Sequence, residues 1–119
     1  MTVVAEILIG LVAVMHLGFL SFEMFAWQRF GPKLFRRFPP ELFRLTVPMM
    51  ANQGLYNGFL AAGLVWSLIA EGAFGRSLAI FFLSCVIVAG LFGAATVSRR
   101  IAYVQAAPAA IALLFVWLS

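Results

Sequence analysis

Apolar residues gather into four long runs, roughly 3–28, 45–70, 76–98 and 101–118, with most of the charge in the short stretches between them. Each run is close to the ~20 residues that carry a helix across ~30 Å of hydrocarbon. The pattern therefore predicts an all-α membrane protein. It would be one domain over residues 1–119, a bundle of four transmembrane helices. A basic segment over about 29–44 would follow the first helix.

The connections predict the orientation. Arg29, Lys33, Arg36, Arg37 and Arg44 fall in the first connection and Arg99 and Arg100 in the third, leaving Arg76 alone in the second. Cytoplasmic loops carry the excess of lysine and arginine. This places the first and third connections inside and both termini on the non-cytoplasmic side. The N-terminus has Glu6 where a signal peptide has basic residues, and no small-residue cleavage site follows, so the first run is expected to be retained. Phe30, Leu34, Phe35 and Phe38 alternate with the cations of 29–44, a pattern suited to the headgroup plane. Pro40 followed by Glu41 marks a helix start, and Pro48 predicts a bend in the second helix. Trp27, Trp66 and Trp117 lie near run ends and read as interface anchors.

Composition agrees with a lipid solvent: 65% of residues are hydrophobic, 10% are charged, and mean hydropathy is +1.08. The net charge of +4 sits in topology-setting connections, so nucleic acid is not an expected partner. Cys85 has no second cysteine and His16 no second histidine, so neither a disulfide nor a multi-histidine metal site is expected within one protomer. No phosphate-cradling glycine loop, nucleophile elbow or pair of acids at glycosidase or di-metal spacing is present.

The polar positions inside the runs carry the candidate chemistry. Hydrocarbon offers no water to a carboxamide, so such groups must face protein, a cavity or a ligand. Asn52, Gln53, Tyr56 and Asn57 crowd one stretch of the second run. In the first run, His16, Leu20, Glu23 and Trp27 fall on one helical stripe. Gly54, Gly58 and Ala62 make a small-residue stripe for close helix approach, and Gly90 and Gly93 do the same in the third run. The fourth run offers Gln105, and Pro108 frees the carbonyl of Val104. Counting ~1.5 Å per residue along antiparallel helices puts Glu23, Gln53 and Gln105 in one shallow layer. It puts His16 and Asn57 in a deeper one.

The block from Asn52 to Ala61 resembles the signature of a family of small bacterial four-helix membrane proteins catalogued as a domain of unknown function. The resemblance extends to His16, Phe22-Glu23-Met24 and Trp27, to Val88-Ala89-Gly90 and Gly93, and to Val104-Gln105 with Pro108-Ala109. It covers nearly the whole chain. It implies an integral membrane location and four helices, and brings no activity with it.

A buried carboxylate costs a few kcal/mol unless paired, protonated or solvated. Glu23 is thus the expected proton-titrating or cation-binding group. His16, Glu23, Asn52, Gln53, Tyr56, Asn57 and Gln105 are the expected ligand-binding residues. The leading expectation is a homo-oligomeric protein of the bacterial inner membrane that binds or transports a small molecule, coupled to protons through Glu23. One alternative is a membrane-embedded enzyme on a lipophilic substrate. His16, Glu23 and Tyr56 would be its acid–base groups, or His16 would hold a haem. A further alternative is an accessory or assembly subunit without chemistry.

Overall fold

Helix follows helix through the chain, and no strand occurs. In the computed structural model, which describes residues 1–119, the order is α1 (Val3–Phe25), α2 (Trp27–Leu34), α3 (Pro40–Leu45), α4 (Val47–Ile69), α5 (Gly72–Thr96), a π-helical stretch (Ala102–Ala106) and α6 (Ala107–Leu118). α1 and α5, with 23 and 25 residues, are long and apolar enough to cross a membrane, and within the chain only 28% and 22% of their apolar windows are buried. Their apolar surface points outward, as in Phe81, Val88 and Phe92 of α5. A helix in the core of a water-soluble chain would hide that surface.

The contacts define two compact units. One comprises Met1–Val14 and Leu60–Ser119, the other Met15–Phe59. α1 and α4 each contribute one half to each unit.

The first unit is held by small and branched side chains. Ile9 and Val12 of α1, Leu64 of α4, Leu83 and Val86 of α5, and Ala109, Ala112 and Val116 of α6 form its core. Alanine at so many core positions shortens the distance between helices. Gly90 takes this furthest: a Cβ there would lie 2.7 Å from the backbone nitrogen of Ala106 and 3.0 Å from its Cα. Only a glycine lets α5 lie against the π-helical stretch. The stretch has a local cause. Pro108 has no N–H for the carbonyl of Val104, and its ring crowds the preceding turn. The chain widens there, and the Ala107 amide donates to the Ala102 carbonyl, five residues back. Widened turns of this kind relieve such crowding. Gly72, at φ +66°, makes the turn between α4 and α5. An L side chain is strained at that angle.

The second unit is built around Trp27. Its indole Nε1 donates to Thr46 Oγ1 at 2.8 Å, and the Thr46 hydroxyl donates to the Leu42 carbonyl at 2.7 Å. Phe22, Phe35 and Phe43 surround the indole at centroid distances of 5.5, 5.9 and 5.2 Å. Gly31 lies under this cluster, leaving room for the Phe43 ring. Trp27 is thus not an interface anchor: it is only 6% exposed, whereas Trp66 and Trp117 are exposed. The same contact shortens the first helix. The backbone leaves the helix at Ala26 (φ −134°, ψ 16°), and α2 starts separately at Trp27. The break predicted by Pro48 falls at Thr46, with α3 and α4 on either side. Pro48 then sits in the first turn of α4, where its missing N–H costs nothing. α2 buries Trp27 and Gly31 and exposes its cations. Arg29 and Lys33 both lie over the Phe30 ring, 5.1 and 5.4 Å from its centroid.

Candidate functional site

The polar centre lies in the second unit, where the last turns of α1 run antiparallel to the first turns of α4. Glycine sets the approach. A Cβ on Gly54 would lie 2.7 Å from Met24 Cγ, 3.1 Å from Glu23 Cβ and 3.1 Å from the Leu20 carbonyl oxygen. One turn on, a Cβ on Gly58 would lie 2.7 Å from Leu20 Cδ1. These glycines bring the two backbones together around Asn57. Its Nδ2 donates to Glu23 Oε1 at 2.5 Å. Asn57 is buried and Glu23 is half-buried. The other carboxylate oxygen, Oε2, accepts no hydrogen bond from the chain.

This pairing departs from the layers expected by counting residues, which put Glu23 level with Gln53 and Asn57 level with His16. The reason is the direction of helical side chains. Each leans toward the N-terminus of its own helix. In an antiparallel pair, Glu23 and Asn57 lean toward each other, closing about one turn of offset.

His16 lies on the same stripe as Glu23, two turns earlier. It is fully enclosed by protein, with the Phe19 ring edge-on at 5.0 Å. No buried side-chain nitrogen or oxygen in the chain lacks a hydrogen-bond partner. A haem ligand must present a free nitrogen to iron, and an imidazole enclosed in this way does not fit that role. Nor do any three His, Cys, Asp or Glu side chains come together as a metal site.

The remaining candidates take no part in the Glu23–Asn57 bond. Asn52, Gln53 and Tyr56 are exposed on α4. Gln105 is half-buried in the π-helical stretch of the other unit. Of the expected packing residues, Gly54, Gly58, Gly90 and Gly93 each receive a neighbouring side chain or backbone. Ala62 does not: it is exposed, and the glycine beside it, Gly63, takes the ring of Phe82. Thr46 is the residue that sequence reasoning passed over. Its hydroxyl is committed to Trp27, nineteen positions away, and nothing in its neighbourhood signals that.

An all-helical chain with two helices fit to cross a bilayer, and a carboxylate on one of them held by a carboxamide, defines the class at the level the geometry allows. The chain belongs to the family described as "Protein of unknown function (DUF1304)", whose model matches residues 10–117. No curated protein and no solved structure matches it.

Proposed function

We propose that this chain is an integral protein of the bacterial inner membrane that binds or transports a small molecule, with Glu23 exchanging a proton or cation as it does so. The observation that carries this reading is the Glu23 carboxylate on an apolar helix, held at one oxygen by Asn57 and without a partner in the chain at the other. A carboxylate kept only to join helices gains little, since hydrogen bonds within membranes contribute ~0.6 kcal/mol on average. A site that takes up a proton or cation gives the free oxygen a use.

In this reading α4 and the Ala102–Leu118 segment supply two further crossings. α4 has 23 residues, which at ~1.5 Å each span ~30 Å or more. The cationic stretches around Arg36 and Arg99 lie in the cytoplasm and both termini outside. Within the second unit Asn57 holds the carboxylate, His16 acts as a relay on the same stripe of α1, and Gln53 adds a polar group one turn before Asn57 on α4. The protein works as a homo-oligomer, because four short helices enclose little volume.

The test is proton movement in vesicles containing the purified protein and an internal pH-sensitive dye. A pH step is expected to drive uptake with the native chain and none with Glu23→Gln, both chains keeping the same helix content. Equal uptake with both chains would refute the role of Glu23. No uptake with either would remove transport and leave binding or an accessory role.

A further inference from the structure

A second polar feature of α4 is not used by the Glu23–Asn57 pair. Met49, Asn52, Tyr56 and Phe59 recur at spacings of three, four and three residues, the seam spacing of two packed helices. All four are exposed: Met49 is 69%, Tyr56 55% and Phe59 54% accessible, and Asn52 is exposed with them. The Asn52 carboxamide and the Tyr56 hydroxyl make no hydrogen bond within the chain. In hydrocarbon such groups must find a partner.

We propose that this stripe is a self-association seam, through which α4 packs in parallel against α4 of a second copy of the chain. The inference rests on the reading of α4 as a membrane crossing. Complementarity points to a second copy. A carboxamide is both donor and acceptor, so Asn52 facing its own counterpart across a two-fold axis satisfies both residues. Copies inserted in one orientation bring the same positions to the same depth. Asparagine at a seam position is also a device that fixes register and oligomer number. Met49 and Phe59 flank the polar pair and close it from lipid.

The test is cysteine cross-linking in native membranes on a Cys85→Ser background. Asn52→Cys is expected to give a covalent dimer on oxidation, whereas Val88→Cys, which is exposed on α5 and off the stripe, remains monomeric. In vesicles, energy transfer between labelled copies should fall about tenfold in apparent affinity for Asn52→Leu, the loss expected for a pair of membrane hydrogen bonds. A smaller fall is expected for Tyr56→Phe, which keeps the ring. Glu23→Gln should associate as the native chain does, so loss of the small-molecule role leaves this result unchanged. A dimer cross-linked at Val88→Cys and not at Asn52→Cys would overturn the seam, as would a monomer at every protein-to-lipid ratio. Free labelling of Asn52→Cys by a water-soluble maleimide in intact membranes would overturn it through its premise, the burial of α4 in the bilayer.

Discussion

Asn57 Nδ2 donates to Glu23 Oε1 across 34 positions of sequence, and this bond joins the last turns of α1 to α4. Its strength is measurable as a coupling. Hydrogen bonds to a charged group contribute ~1.5–3 kcal/mol in water-soluble proteins, against ~0.6 kcal/mol for an average pair in a membrane. A double-mutant cycle of Glu23→Leu and Asn57→Leu should give a coupling of about 1 kcal/mol or more, read by reversible unfolding in detergent. Additive effects of the two changes would mean the pair is not coupled.

The close approach at Gly54 makes the pair possible. Gly54→Ala places a Cβ against Met24 Cγ and the Leu20 carbonyl. The methionine can move, but the backbone carbonyl cannot move without displacing α1. Overpacking of this kind costs ~1–3 kcal/mol. Gly18 is the control, since a Cβ there meets nothing within 4 Å. Gly18→Ala should be neutral or stabilising by up to ~1 kcal/mol. Thermal unfolding of both variants checks the contrast.

Gly90→Ala should destabilise more than Gly54→Ala. Its Cβ meets the nitrogen, Cα and Cβ of Ala106, so no flexible side chain can yield. The expected loss is at the upper end of ~1–3 kcal/mol, measured by the same unfolding. A loss no greater than that of Gly54→Ala would show that the π-helical stretch shifts easily.

Trp27 anchors the second unit through one hydrogen bond and three aromatic neighbours. Thr46→Val keeps the shape and removes the acceptor, which should cost ~1–3 kcal/mol for a buried N–H left unpaired. Trp27→Ala should cost ~3–5 kcal/mol. Tryptophan fluorescence should report the change in Thr46→Val directly, because the indole N–H loses its partner.

Local rules made part of this structure legible. The apolar runs located the long helices, Pro40 marked the start of α3, and the glycine positions of α4 marked the approach of α1. The features that escaped depend on contacts distant in sequence. The break at Ala26 turns Trp27 toward Thr46, and neither residue announces the other. The Glu23–Asn57 bond depends on the lean of two side chains, which residue counting ignores. The exposure of Asn52, Gln53 and Tyr56 depends on which face of α4 the glycines turn inward.

The central claim is that Glu23 exchanges a proton or cation, and infrared titration of the carboxyl C=O band tests it most directly. Carboxyl and carboxylate absorb at different frequencies, so protonation is seen without knowing the ligand. The native protein in vesicles should show a carboxyl band that appears and disappears reversibly with pH. Glu23→Gln should lack that component while keeping its helix content. An unchanged band in Glu23→Gln, or no titrating component in the native protein, would contradict the claim and leave Glu23 a structural partner of Asn57.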